Sequence, residues 1–339
     1  MTIHCEVSGG IALLTIDRPP VNSLDRPTRV ALATRLEAAF AEPQIQAVVL
    51  WGGTRLFSAG ADIEEFAAGL EGPTYARPTL PEIVSLLDAS PKPVVAAIHG
   101  VCLGGGLEVA LACQARVCGE DAKFGLPEVK LGILPGAGGT QRLPRLIGIG
   151  PALQLILSGN TIDAFRAQGL GLARIAEGDL LTAAQHEARS LVGTQWTPAS
   201  ALSARLPEGK NADHYFKTQR ANLRRPLPAP LACIDAVEST TTRSFAEGVE
   251  HEGQLFRALL QTPESKALRY AFFGDRAVGK LRTGTTPASD RSVHNVAIIG
   301  AGTMVIKTRR LIAWKLRRCA SAYAKQHPLL RKLGQRAPR

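Results

Sequence analysis

A buried strand that runs into a glycine cluster and then a helix is the feature that most constrains this chain. Residues 93–98, PVVAAI, form an apolar run of strand length, and Gly104, Gly105 and Gly106 follow just before LEVALAC. Because glycine has no Cβ, backbone N–H groups stay uncovered where the helix begins. The pattern predicts a strand, a turn and a helix whose N-terminus can hold a developing negative charge.

The first part of the chain alternates strand-like and helix-like segments. Ile11–Ile16 and Ala47–Trp51 are two further apolar runs of strand length. Between them lies an apolar helical face made of Leu32, Leu36, Ala39 and Phe40. The alternation predicts an α/β domain with parallel strands in its sheet.

Beyond about residue 182 the signals become helical. The proline-rich stretch RRPLPAPLA, residues 224–232, is interpreted as a connector. Ser244 and Glu247 have the spacing of a capping box, and Thr262 with Pro263 predicts the start of another helix. The apolar face after the capping box consists of Phe245, Val249, Phe256, Leu259 and Leu260.

The net charge of +11 belongs to the C-terminal tail. Residues 303–339 hold eleven Lys and Arg and no acid, so 29 basic residues balance the 29 acidic ones elsewhere. This neutral body argues against nucleic acid as a partner. Six scattered cysteines, no secretory signal and no apolar stretch of bilayer length favour a reduced, cytoplasmic protein without a membrane span.

Two glutamates in apolar surroundings are candidate acid–base groups. Glu108 is the only charge within residues 107–113, and the alternative is a carboxylate that simply faces the helix dipole. Glu128 also has apolar neighbours, where a raised pKa would suit a general acid. The alternative for Glu128 is a loop residue that pairs with Lys130 or Arg142.

The segment FSAGADI, residues 57–63, has small side chains that let a ligand approach the backbone. The N–H groups of Ala61 and Gly105 could polarise one carbonyl oxygen, an effect worth roughly 2.7–4 kcal/mol per donor. Taken alone, the segment is more typical of a plain strand-to-helix turn than of a binding site. PGAGGT, residues 135–140, lacks the Lys-Ser/Thr pair of a phosphate-binding loop.

Three segments resemble, in order and spacing, the enoyl-CoA hydratase (crotonase) superfamily: FSAGADI, KPVVAAIHGVCLGGGLEVA and FGLPEVKLGILPGAGGTQRLPRLIG. APLACIDAVE and VHNVAIIGAGTM resemble the bifunctional branch, in which a crotonase domain is fused to a 3-hydroxyacyl-CoA dehydrogenase. The likeness stops at Met304. It implies an α/β fold, a crotonase-type spiral of ββα units, followed by an α-helical linker region.

The resemblance divides the chain into four expected parts. Residues 1–190 are the crotonase domain, and residues 191–292 are the helical linker region. Residues 293–304 are the first strand and glycine turn of an incomplete NAD-binding domain. Residues 305–339 are a basic tail, interpreted as non-native or disordered sequence.

The resemblance also implies a role for each site residue. The N–H groups of Ala61 and Gly105 form an oxyanion hole for a thioester carbonyl. Glu108 and Glu128 hold a water molecule between them, and Glu128 supplies the C2 proton. The amide of Gly136 helps to place that water. The adenine end of the CoA site is lined by Ala59, Ala61, Asp62 and Ile63.

These roles imply hydration of 2-enoyl-CoA to 3-hydroxyacyl-CoA in fatty-acid β-oxidation, with 3,2-enoyl-CoA isomerase activity left open. Relatives that only isomerise usually lack the first carboxylate, so the presence of both glutamates favours hydration. The substrate is an acyl-CoA thioester and no cofactor is required. Homo-oligomerisation stays open, because crotonase domains commonly trimerise.

Two alternatives stand beside this function. One is the complete bifunctional enzyme with NAD-dependent dehydrogenation. Gly300 and Gly302 match a dinucleotide fingerprint, but Val305 replaces its third glycine and no acidic residue follows, so the NAD site is expected to be incomplete. The other is an inactive fragment with an anion-binding basic tail. The tail is interpreted as unselected sequence after a change of reading frame.

Overall fold

Two β-sheets, with helices packed around them, organise the part of the chain that the structure describes. The computed structural model describes residues 2–66, 76–223 and 227–280, with side chains up to residue 276. Residues Met1–Gly279 form one compact unit. The glycine turn with Gly300 and Gly302, and the basic tail, lie outside the described residues.

The strands are short and most of them are parallel. They are β1 (Ile3–Ser8), β2 (Ile11–Ile16), β3 (Ala47–Trp51), β4 (Val94–Ile98), β5 (Val101–Leu103), β6 (Ala115–Cys118), β7 (Lys123–Gly125), β8 (Thr161–Asp163) and β9 (Arg174–Ile175). The larger sheet has the order β1-β2-β3-β4-β6-β9, and only its β1–β2 pair is antiparallel. The smaller sheet, β5-β7-β8, joins one parallel and one antiparallel pair. The predicted α/β class with parallel strands is confirmed.

The helices cover the sheets and continue beyond them. They are α1 (Arg26–Ala41), α2 (Leu80–Asp88), α3 (Gly105–Ala112), α4 (Gly139–Ile147), α5 (Ile149–Ser158), α6 (Ala164–Gly169), α7 (Leu180–Leu191), α8 (Ala212–Ala221), α9 (Pro228–Glu238), α10 (Phe245–Gln261) and α11 (Pro263–Lys280). Short 3-10 helices span Ile63–Phe66, Glu128–Leu131, Ala199–Ala201 and Ser239–Thr241. The capping box of Ser244 and Glu247 is present at α10, as the sequence predicts.

The larger sheet separates two hydrophobic clusters, because successive residues of a strand point to opposite faces. On β3, Val48 belongs to the main core, whereas the next residue, Val49, belongs to the smaller cluster. The smaller cluster includes Ala184 and Ala188 of α7, which cover that face. The main core extends to α3, α4 and α5, so the site-bearing helices lie on the other side of the sheet.

The prediction of a connector over residues 224–232 is wrong for residues 228–232. Helix α9 begins at Pro228 and includes Pro230 in its first turn. Proline is tolerated there because the first N–H groups of a helix have no intrahelical partner to lose. Helix α9 packs against α4, α5 and α10, so the region expected to be a linker forms part of the core.

Asn22 fixes the turn that leads into FSAGADI. Its Nδ2 atom donates to the carbonyl oxygens of Gly52 (2.6 Å), Leu56 (2.9 Å) and Phe57 (3.2 Å). A side-chain amide that bridges three carbonyl oxygens holds the two ends of a turn together. These hydrogen bonds therefore fix the backbone at the start of the segment that carries Ala61.

We predict that Gly52→Ala destabilises the protein. A Cβ at this position would overlap the Leu56 carbonyl oxygen and the Phe57 Cα, which are backbone atoms within the Asn22-fixed turn. We expect the free energy of unfolding, measured by urea denaturation, to fall by about 1–3 kcal/mol. Gly169→Ala is the control, because a Cβ at Gly169 meets nothing within 4 Å. Equal stability of the two variants would contradict the prediction.

Candidate active site

The segment FSAGADI lies directly beside β5 and the glycine cluster. The Ser58 N–H donates to the Val101 oxygen (3.1 Å), and the Leu103 N–H donates to the Ser58 oxygen (3.0 Å). The Ser58 hydroxyl donates to the Asn22 oxygen (2.7 Å) and accepts from the Gly60 N–H (3.1 Å). Two segments that are distant in the sequence thus form one wall of a site.

The two predicted oxyanion-hole donors come together at this wall. A Cβ on Gly105 would lie 3.2 Å from the Ala61 nitrogen, and both residues line the same pocket. Gly60 permits this approach, because a Cβ there would lie 2.8 Å from the Leu103 oxygen and its φ is +100°. Among the described residues, neither the Ala61 N–H nor the Gly105 N–H donates a hydrogen bond. Both amides are available to one acceptor.

One pocket collects five of the predicted site residues. Those that line it are Ala61, Gly105, Glu108, Glu128 and Gly136. Four residues are expected at the adenine end of CoA. Ala61 lines the pocket, whereas Ala59, Asp62 and Ile63 are half-buried and outside its lining. The arrangement suits a ligand whose reacting end enters the pocket while its remainder stays on the surface.

Glu108 is held by the start of a different helix from its own. Its side chain is 3% exposed, and its Oε1 atom accepts from the N–H groups of Ala137 (2.7 Å) and Gly139 (2.9 Å) at the N-terminus of α4. Burial raises the pKa of Glu108 to about 6, whereas these two hydrogen bonds and the charge of Arg142 oppose the increase. Glu108 can therefore exchange a proton near neutral pH.

Glu128 presents an oxygen without a partner. It opens the 3-10 helix Glu128–Leu131, and its buried Oε2 atom has no hydrogen-bond partner among the residues that the structure describes. Burial, followed by the charge of Glu108, raises the pKa of Glu128 well above its ordinary value. Because an unsatisfied buried carboxyl oxygen costs free energy, its position on a pocket indicates a ligand or water as partner.

The alternative pairing of Glu128 with a nearby cation is wrong. Lys130 Nζ donates to Asn160 Oδ1 (3.2 Å), on the outside of the protein. Arg142 Nε donates to Asp88 Oδ1 (3.4 Å). Both cations are engaged elsewhere, so Glu128 keeps an apolar setting.

The floor of the pocket includes residues that the sequence interpretation did not assign to the site. A Cβ at Gly136 would lie 2.7 Å from the ring of Phe256, which comes from α10. Phe256 meets Phe66 edge to face, with the ring centroids 5.6 Å apart. Phe256 belongs to the predicted apolar face of α10, but the pattern does not show which face residues reach a pocket.

A buried ion pair forms the opposite wall. Arg29 Nη1 lies 2.6 Å from Glu65 Oε2 and also donates to the Leu24 oxygen (2.7 Å), while Arg29 Nε donates to the Pro78 oxygen (2.8 Å). These bonds connect α1 to two segments that precede α2, at Glu65 and at Pro78. Sequence spacing does not reveal this pair, since Arg29 and Glu65 come together only in the folded chain.

Glu252 is another buried carboxyl near the site, and the sequence interpretation did not assign it to the site either. It lies on α10, and burial together with the charge of Glu108 raises its pKa to about 8. The available signal was its position between Val249 and Phe256 on an apolar helical face. A charged residue at such a position is rarely buried unless it has partners.

Comparisons with known proteins identify the family. Residues 6–222 match the enoyl-CoA hydratase/isomerase family. The chain belongs to this family. The resemblance of the three segments and of the C-terminal region to the bifunctional branch is confirmed by curated relatives that extend over most of the chain.

Two of these relatives are bifunctional or multifunctional by name. The peroxisomal bifunctional enzyme of Danio rerio is 40% identical over 306 residues, 88% of this chain and 42% of that protein. The peroxisomal fatty acid beta-oxidation multifunctional protein MFP2 of Arabidopsis thaliana is 36% identical over 313 residues, 88% of this chain and 43% of that protein. The chain therefore spans less than half the length of either relative.

Solved structures agree on the fold. The crystal structure of an enoyl-CoA hydratase/isomerase from Xanthobacter autotrophicus Py2 is 26% identical, with a TM-score of 0.60, and covers 85% of this chain and 99% of that one. The crotonase-type α/β fold followed by a helical region is thus confirmed. Within the described ranges, no helix has the length and hydropathy needed to cross a membrane. In the same ranges, no three His, Cys, Asp or Glu side chains are arranged to hold a metal ion.

We predict that Glu108 makes the stability of the protein depend on pH. Its pKa is 4.5 ordinarily and about 6 in the folded chain, so stability falls as pH rises through this window. The loss is about 2 kcal/mol. Glu108→Gln cannot ionise at this position. The free energy of unfolding of the variant minus that of the wild type should therefore be about 2 kcal/mol larger at pH 7 than at pH 4.5.

Urea denaturation at the two pH values measures this difference. Glu120→Gln, which removes an exposed carboxyl, controls for the general loss of one negative charge. The same relative stability of Glu108→Gln at both pH values would show that Glu108 does not titrate in this window.

Proposed function

We propose that this chain hydrates 2-enoyl-CoA to 3-hydroxyacyl-CoA, as a step of fatty-acid β-oxidation. One observation carries the proposal: Glu108 and Glu128 line the same pocket as the two unengaged amides of Ala61 and Gly105. Membership of the enoyl-CoA hydratase/isomerase family and the names of the multifunctional relatives support it.

The two amides would act on the thioester carbonyl. When water adds to C3 of a 2-enoyl thioester, negative charge moves onto the carbonyl oxygen and an enolate forms. The N–H groups of Ala61 and Gly105 would bind that oxygen, and the position of Gly105 at the N-terminus of α3 strengthens the stabilisation. Because the donors are fixed before substrate binds, they need no reorganisation during the reaction.

The two glutamates divide the proton transfers. With a pKa near 6, Glu108 is largely ionised at neutral pH and can accept the proton of the attacking water. Glu128, whose pKa is raised further, can keep the proton that it delivers to C2. Glu128, whose Oε2 atom has no hydrogen-bond partner among the described residues, lines the pocket in which the water and C2 would lie. The Gly136 amide is proposed to help place the water.

The 3,2-isomerisation of enoyl-CoA is a second candidate activity of the same pocket. Moving a double bond requires a proton to leave one carbon and return to another, and Glu128 can carry it. No water is consumed, so Glu108 has no obligatory part. The unpartnered, buried Glu128 oxygen is the observation that favours this activity.

The substrate is proposed to be an acyl-CoA thioester with Ala59, Asp62 and Ile63 beside its adenine end, and no further cofactor takes part in the hydration. The cytoplasmic location, the homo-oligomer and the domain boundaries stay predictions from the sequence. The two relatives described above are peroxisomal by name.

We predict that Glu108→Gln and Glu128→Gln each lower kcat for the hydration of crotonyl-CoA by about 10²–10⁴-fold, the usual contribution of a general acid or base. The loss of absorbance of the conjugated thioester measures the rate. Glu120→Gln, an exposed carboxyl outside the pocket, is the control and should keep the wild-type rate. Near-full activity in either pocket variant would overturn the mechanism.

We further predict that the two variants differ with a 3-enoyl-CoA substrate. Glu128→Gln should abolish any isomerisation that the wild type performs, whereas Glu108→Gln should retain most of it. The appearance of the 2-enoyl thioester by absorbance measures the reaction. Equal losses in both variants would contradict the assignment of Glu128 as the sole proton carrier.

A further inference from the structure

Helix α10 brings a buried carboxylate to the back of the active site. Glu252 is fully buried, although it lies beyond residue 222, where the family match ends. Its Oε1 atom accepts from the Gly138 N–H (2.6 Å). Its Oε2 atom accepts from the Thr140 N–H (2.9 Å) and the Thr140 hydroxyl (2.5 Å). Three donors within the matched region thus converge on one side chain that lies outside it.

The same short segment also binds Glu108. The N–H groups of Ala137 and Gly139 donate to Glu108, and those of Gly138 and Thr140 donate to Glu252. Four successive amides are therefore shared alternately between two carboxylates. The amides at the start of α4 have no intrahelical partners, and the positive end of the helix dipole favours both negative charges. A shift of the segment at Glu252 would displace the donors of Glu108.

The packing of α10 makes this contact possible. A Cβ on Gly248 would overlap the end of the Gln141 side chain, so α10 approaches α4 closely at this point. One turn after Glu252, Phe256 reaches the pocket and touches Gly136. Helix α10 therefore supports residues 136–140 at two points, with a ring at one end and a carboxylate at the other.

The direction of the hydrogen bonds at Glu252 suits the ionised form. Gln141 Nε2 donates to the Thr140 Oγ1 atom (3.1 Å), which leaves the Thr140 hydroxyl proton to point toward Glu252. Every partner of the Glu252 carboxylate is then a donor, which opposes the increase in its pKa caused by burial and by Glu108. The titratable groups that act on Glu252, or that it acts on, are Glu108 of α3, Glu128 of the 3-10 helix and Cys233 of α9.

We infer that Glu252 is a positioning residue for the hydration: it holds residues 137–140 so that their amides orient Glu108. The inference rests on the proposed hydratase function. It assigns part of the active site to helix α10, and it gives Glu252 no contact with the substrate.

Glu252→Gln in the full chain tests this role. We expect kcat for crotonyl-CoA hydration to fall on the order of tenfold to a hundredfold, because a small displacement of a reacting group has such an effect. KM should change by less than about twofold, since no substrate contact is lost. Because the displaced amides of Ala137 and Gly139 would lower the pKa of Glu108 less, the acidic limb of the kcat–pH profile should move to higher pH.

Glu250→Gln is the matched control, because it removes an exposed carboxyl from the same helix and should keep the wild-type kcat and pH profile. An unchanged kcat in Glu252→Gln would overturn the inference. A lower kcat with an unmoved pH profile would also overturn it, because that result reduces Glu252 to a structural support. Wild-type protein without hydratase activity would instead refute the proposed function.

Thr140→Val keeps the test decisive if circular dichroism shows that Glu252→Gln does not fold. The substitution removes the hydroxyl donor to Glu252 and retains a β-branched side chain of similar volume. We expect the acidic limb to move in the same direction as for Glu252→Gln, by a smaller amount, with a several-fold lower kcat. A wild-type profile and kcat in Thr140→Val would then contradict the inference.

Discussion

The proposed active site depends on four main-chain N–H groups at the start of α4. These groups stabilise negative charge in an apolar interior. Glu108 and Glu252 are both buried, and an isolated buried carboxylate is strongly disfavoured. Hydrogen bonds from residues 137–140 offset that cost from two sides. Because α3, α4 and α10 must all be in place for these bonds to form, catalysis and packing rely on the same contacts.

The remaining reactive groups are placed by backbone rather than by long side chains. The Asn22 amide fixes the turn before FSAGADI, and Ser58 hydrogen-bonds this segment to β5. These contacts bring the Ala61 and Gly105 amides together. Glu128 stays without a partner in the same pocket, so the protein presents two donors for an oxygen and two carboxyl groups for protons within one cavity.

The strands and the principal carboxylates were predictable because their signals are local. Apolar runs gave the bounds of β2 and β3, and the glycine cluster gave the start of α3. Helix α9 was missed because prolines in a first helical turn have the same composition as a connector. Glu252 was missed because a charge on a helical face is ordinarily solvated. Only the folded chain shows that the donors of α4 lie opposite it.

The four shared amides also bear on how such a sequence can drift. They belong to the main chain, so no side-chain exchange within residues 137–140 removes an amide donor except proline. Gly138 and Gly139 nevertheless leave no room for a Cβ. An exchange at Glu252 changes what the segment can offer to Glu108, although the two carboxylates share no hydrogen bond. The tolerated variation at either glutamate should therefore depend on the identity of the other, a form of epistasis transmitted through peptide bonds.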